Sequence, residues 1–228
     1  EASNILRKRI LQNYMREGVT IIDPDTTYID QGVVIGIDTV IYPGTIIEGN
    51  TVIGEDCIIG PNSRLTDVTV GNNVEIIASI VSESTIGDDA KIGPYAHLRP
   101  QTHVGEHAKI GAFVETKKCT IGVGTKASHL AYVGDAEIGR NVNIGCGVVF
   151  VNYDGKKKHK TIVGNNAFVG SNSNLVAPVT VEDNGYIAAG STITDNVPGY
   201  SLAIARERQV IKEGWVIKKD MIRKIIIK

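Results

Sequence analysis

The chain has 228 residues, room for one large domain or two small ones. Its 24 Lys and Arg stand against 25 Asp and Glu, which offers no general attraction for nucleic acid or an anionic membrane, and neither is expected as a partner. Three cysteines, Cys57, Cys119 and Cys146, form no CxxC spacing, which argues against a disulfide framework or zinc knuckle and for a reducing cytoplasm. No signal peptide opens the chain and no apolar run reaches the ~20 residues that span a bilayer.

Residues 2–18 predict a short amphipathic helix, with Ile5, Leu6, Ile10, Leu11 and Tyr14 on one stripe and Gly18 as C-cap. A basic helix with little to pack against reads as a connector, spanning 1–18, from an upstream domain.

From Val33 the dominant signal is a six-residue period, the mark of a parallel β-helix built of hexapeptides. Ile86, Ile92, Leu98, Val104 and Ile110 are aliphatics six apart, four of them followed by Gly, and four positions on come Ala90, Ala96, Thr102, Ala108 and Val114. The column returns in Ile138, Ile144 and Phe150 and in Val169, Leu175, Val181, Ile187 and Ile193; earlier it is read in Val40, Ile46, Val52 and Ile58. Neither the 3.6 period of a helix nor the period of 2 of a strand explains these columns, whereas stacked coils do. The spacing breaks at Ile80–Thr85, Thr116–Thr120, Val133–Glu137 and Asn152–Thr161, where loops are expected to emerge. The last break holds the basic run Lys156–Lys160, which reads as a rim over a phosphorylated ligand. After Thr194 the period stops, and residues 195–228, with Arg206, Arg208 and the only Trp, Trp215, are expected as a tail packing on a neighbouring subunit.

Beyond the hexapeptides, the chain carries VTIIDP (19–24), LRP (98–100), ETKK (115–118), HLAYVGDAEIG (129–139), NVNIG and NYDG. With these motifs it resembles the acetyltransferase half of the bacterial bifunctional N-acetylglucosamine-1-phosphate uridyltransferase and glucosamine-1-phosphate N-acetyltransferase, over nearly its whole length. The resemblance implies an all-β fold: a left-handed parallel β-helix over 19–194, against the usual right-handed crossover rule. It further implies a cytoplasmic homotrimer with acetyl-CoA as co-substrate in clefts between subunits, glucosamine 1-phosphate as acceptor, and no metal for acetyl transfer. Magnesium would belong to a uridyltransferase domain before residue 1.

By the same resemblance, His129 matches the catalytic base, Glu115 a carboxylate supporting it, and Asn152 a residue that positions the reacting groups. Arg99, Lys117, Tyr132, Asn143 and Lys158 match contacts to the sugar phosphate. Cys146, Tyr153, Ser171, Ala189 and Arg206 match positions at acetyl-CoA. Ser128, Ala131 and Cys146 depart from the family's usual Gly, Thr and Ala.

The chemistry suits these residue types. An ammonium must lose a proton before it attacks a thioester, and imidazole, with a pKa of ~6.5, takes it near neutrality. A phosphomonoester calls for Arg forks and Lys point charges together. His97, His103, His107 and His159 read as surface histidines, and Cys119 as a small hydrophobe. Two other readings stay open: a β-helix that only trimerises a nucleotidyltransferase, and a zinc enzyme of the carbonic anhydrase type using His103 and His107.

Overall fold

A computed structural model describes residues 2–219. Helix Ala2–Arg16 leads into short parallel strands wound as a three-faced solenoid of about ten coils, ending in strand Leu202–Ala203 and a last turn of helix, Trp215–Lys218. One face is an 11-stranded sheet and the other two join into a 17-stranded sheet. Each strand pairs with its equivalent one coil away: Lys91 with Lys109 and Thr85 with His103, an 18-residue step that equals three hexapeptides.

The core is the stack of inward residues. Ile86, Ile92, Leu98, Val104 and Ile110 are buried, as are Ala90, Ala96, Thr102, Ala108 and Val114 at the corners. At the N-terminal end the inward column differs from the expected one. Val52 and Ile58 are exposed, and Ile41, Ile47, Ile53 and Ile59, one residue later, are buried. Side chains alternate across a strand, so a slip of one residue exchanges the faces; with two adjacent aliphatics in each strand, apolarity does not choose between them.

Three of the four expected loops are absent. Thr116–Thr120 lies within strand Glu115–Ile121 and Val133–Glu137 within strand Tyr132–Ile138. At these five-residue spacings one residue in the left-handed region, Glu83 (φ 42°), Lys118 (48°) or Asp135 (48°), rounds the corner without leaving the ladder. Only Asn152–Thr161 projects, as a loop bridged antiparallel between Tyr153 and Lys158.

Of the helix stripe, Leu11 and Tyr14 are buried, Ile10 is half-buried, and Ile5 and Leu6 are exposed. The Tyr14 hydroxyl anchors the helix by donating to the Val33 carbonyl at 2.7 Å. Residues 204–214 have no regular structure, and residue 1 and residues 220–228 of the expected connector and tail lie outside the described residues. No helix among the described residues is long and apolar enough to cross a membrane.

Candidate active site

Successive coils build the site, because residues 16–18 apart in sequence stand one above the other. On one face His97, Glu115, Tyr132 and Val149 form an outward file. Arg99, two residues past His97, reaches across the coil gap and donates from Nη1 to Glu115 Oε1 at 2.8 Å. Lys117 pairs in register with Gly134, where the absence of a side chain leaves room for Tyr132 and Asn152: a Cβ there would meet the Tyr132 hydroxyl at 2.4 Å and Asn152 Nδ2 at 2.7 Å.

Asn152 is buried and donates from Nδ2 to Asp135 Oδ2 at 2.6 Å and to the Tyr132 hydroxyl at 3.4 Å. Lys158, on the loop, comes against Lys117. That contact, and then the nearby Arg99 guanidinium, hold the Lys117 ammonium below the ordinary lysine range, with Asp135 opposing them. Three cations thus converge at one end of this face, with Glu115 paired to Arg99 and with Asp135 and a buried amide beside them.

A second file runs along the neighbouring corner. Ala112 pairs with His129, and the register carried through Ala127, Ile144, Val169 and Ile187 places Cys146, Ser171 and Ala189 on the following coils in the same position. Arg206 closes the file by donating from Nη1 to the Ala189 carbonyl at 3.0 Å. Five residues scattered over 78 positions of sequence therefore form one edge. His129 is exposed and its ring makes no hydrogen bond among the described residues, Glu115 being committed to Arg99.

Asn143 stands apart on the 11-stranded sheet, between Lys126 and Phe168. Tyr153 turns back on its own loop, its hydroxyl donating to the Gly155 carbonyl at 2.7 Å. Ser128 is half-buried beside His129, Ala131 is buried, and Cys119 is buried with its thiol pushed up to about 11 by desolvation. Asp135 and Asp154 belong to this region and were not singled out in the sequence, and His159, read there as a surface histidine, is half-buried against Asp154.

His103 and His107 do not form a metal centre. His103 faces Thr85 Oγ1 at 2.8 Å, His107 lies 3.5 Å from Asp89, and no group of three or more His, Cys, Asp or Glu among the described residues is placed to share an ion.

Residues 32–67, 83–118 and 160–195 match the bacterial transferase hexapeptide (six repeats) family. A solved structure, the UDP-N-acetylglucosamine acyltransferase of Campylobacter jejuni, is similar with a TM-score of 0.57 at 20% identity, over 82% of this chain and 71% of that one, a likeness of fold. Repeat and architecture together define a hexapeptide-repeat β-solenoid. Within that class the relatives are particular. The chain is 65% identical over 223 residues, 98% of its length, to the bifunctional protein GlmU of Acetivibrio thermocellus, and 60% identical over 220 residues to that of Clostridioides difficile. It belongs to the GlmU family, and spans about half the length of these curated relatives, 48% in each case.

Proposed function

We propose that this chain transfers the acetyl group of acetyl-CoA to the amine of glucosamine 1-phosphate, releasing N-acetylglucosamine 1-phosphate and coenzyme A. It corresponds in this reading to the acetyltransferase, C-terminal half of the bifunctional enzyme. The convergence of Lys117 and Lys158 beside the Arg99–Glu115 pair carries the proposal: two ammoniums and a guanidinium gathered at one place suit a phosphate dianion. Along the face Tyr132 stands three residues before the Asp135 corner, about 10 Å at ~3.3 Å per residue, the scale of a hexose phosphate.

With the phosphate at the cations, the amine lies toward His129. The ammonium loses one proton to water, and His129 takes the second as the amine attacks the thioester carbonyl. Negative charge then grows on the carbonyl oxygen, where the Asn152 amide, the Ser171 hydroxyl or a backbone N–H stabilises it. Collapse of the tetrahedral intermediate expels the coenzyme A thiolate. No covalent enzyme intermediate and no metal are required. Glu115, bound to Arg99, orients the guanidinium in this scheme rather than the imidazole.

Acetyl-CoA lies along the edge below His129, against Cys146, Ser171, Ala189 and Arg206, with Tyr153 contributed from the loop, while Asn143 is kept as a contact to the sugar phosphate. A homotrimer completes the clefts. Its support is the apolar corner beside His129, where Tyr95, Phe113 and Leu130 project on three successive coils, 61%, 59% and 58% exposed, each at positive φ. Bulky residues held in that strained conformation on the surface are what a neighbouring subunit would cover. Val210, Ile211 and Ile217 in the tail are likewise exposed and suit the same role. The cytoplasm, where the thiols stay reduced, is the compartment of the reaction.

The test is release of coenzyme A thiol from acetyl-CoA with glucosamine 1-phosphate or glucosamine as acceptor, with and without a chelator. Release that needs the phosphate and ignores chelation is expected. A folded sample that releases no thiol with either acceptor would remove the proposal.

A further inference from the structure

The loop that carries Lys158 is closed on itself by two side chains to which the proposed reaction gives no role. Asp154 Oδ1 accepts the N–H groups of Lys156 and Lys157, each at 2.7 Å, while Oδ2 faces His159 Nε2 at 2.7 Å. The backbone continues the closure: the Asp154 N–H donates to the Lys157 carbonyl at 3.1 Å, and the His159 N–H to the Asn152 carbonyl at 2.8 Å. The Asp154 carboxylate is held down to about 2 by the Lys157 N–H first and by His159 next, although it is open to water.

Such a closure has electrostatic work to do. Lys158 is held against Lys117, beside an Arg99 that is paired with Glu115, and the two ammoniums push each other away. A lysine side chain carries ~2 kcal/mol of rotamer freedom, so on an unrestrained loop it turns to solvent. The segment from Tyr153 to Lys157 offers no apolar anchor that would prevent this, since every residue in it is exposed.

We propose that Asp154 and His159 are positioning residues, whose ion pair closes the loop and holds Lys158 at the Lys117–Arg99 cluster before the phosphorylated acceptor arrives. The identity of the acceptor rests on the acetyltransferase reading; the closure of the loop does not. The pair sets affinity for the phosphate end of the acceptor and leaves the acetyl donor unaffected. His159 also borders a cavity of about 540 Å³, into which His103, Lys118, Asp135 and Glu137 look from the adjoining face. Glu137 is itself tied to Lys160, so Asp154 is the acid left to His159.

Trypsin reads the loop directly, because Lys156, Lys157, Lys158 and Lys160 all lie in it. In the full chain Asp154→Ala is expected to speed cleavage at these lysines about tenfold while sites elsewhere are cut as before. The same variant is expected to raise the KM for glucosamine 1-phosphate about tenfold, with kcat and the KM for acetyl-CoA changed less than about twofold. His159→Gln keeps a donor to Asp154 without the charge. Its sugar-phosphate KM is therefore expected to lie closer to the unmodified chain's than that of Asp154→Ala does, because the donor to the Asp154 carboxylate is kept. Wild-type cleavage rates in Asp154→Ala overturn the closure, and faster cleavage with an unchanged sugar-phosphate KM overturns its link to Lys158. If the unmodified chain acetylates no amino sugar, the function proposed above falls instead. The closure is then judged by whether inorganic phosphate slows cleavage at Lys158 in the unmodified chain and fails to do so in Asp154→Ala.

Discussion

Asn152 donates its buried amide to the Asp135 carboxylate at 2.6 Å, and this bond joins the end of one coil to the corner of the coil before it. Asn152→Asp would set two carboxylates at that distance, where both cannot ionise and one keeps its proton. The variant is expected to lose about a hundredfold in kcat/KM at about pH 8 and to recover part of it toward about pH 5.5, whereas Asn152→Ala gives a loss that is flat in pH. A pH–rate profile of the two variants decides this, and a flat profile for Asn152→Asp would show that the pair does not sit at the reacting groups.

His129→Ala is expected to cut turnover by at least about a hundredfold, the usual scale for a lost general base, with far-UV circular dichroism and solution size unchanged. The ring makes no hydrogen bond among the described residues, so its removal leaves no partner unsatisfied. Turnover near the unmodified level would take the base role away from this residue.

Ligand-induced stabilisation isolates the cation cluster. Glucosamine 1-phosphate at a hundred times its dissociation constant contributes about 2.7 kcal/mol, several degrees in Tm for a chain of this size. Lys117→Ala is expected to lose most of that gain while keeping any gain from acetyl-CoA. Equal shifts in both proteins would place the phosphate elsewhere.

A substitution pair tests the register of the N-terminal coils. Ile53 is 1% exposed and Val52 is 41% exposed. Ile53→Ala is expected to cost about 2–5 kcal/mol in denaturant unfolding, and Val52→Ala about 1 kcal/mol or less. The reverse order would restore the column through Val52.

Acid exposes the loop in a defined window. The Asp154 pKa is lowered in the folded chain to about 2, so its contribution is complete above the unfolded value of about 3.9 and is lost as pH falls through about 2. Pepsin cleavage within 153–160 is therefore expected to stay slow at about pH 4 and to accelerate toward about pH 2. Acceleration already complete at about pH 4 would show that the carboxylate is not held by its N–H donors.

The middle of the solenoid was legible in the sequence because Gly after Ile86, Ile92, Val104 and Ile110 marks which aliphatic points inward. At Val40–Ile41, Val52–Ile53 and Ile58–Ile59 no such mark follows the first residue, and the column was read one residue early. Loops were inferred from five-residue spacings because the length of a corner is not visible in a period; a single positive-φ residue at Lys118 or Asp135 absorbs the deficit. Once the coil length is known, the partnership of Arg99 with Glu115 follows from their 16-residue separation. The closure of Asp154 on His159 was hidden for the opposite reason: it is local, five residues apart, and a basic run draws attention to charge rather than to the acid that precedes it.

The edge that holds His129, Cys146, Ser171, Ala189 and Arg206 takes one residue from each turn of the solenoid, so distance along the edge is counted in turns while sequence is counted in residues. The two counts stay in phase because a corner absorbs the difference between turns of 17 and 18 residues. One residue inserted into a strand, with no corner to absorb it, would exchange the inward and outward faces of that strand and move later contacts by an eighteenth of a turn. The loop at 153–160 escapes this constraint, since Arg140 still meets Asn165 across a step of 25 residues. Longer insertions therefore fit the segment that carries Lys158, while the edge at His129 changes more readily by substitution.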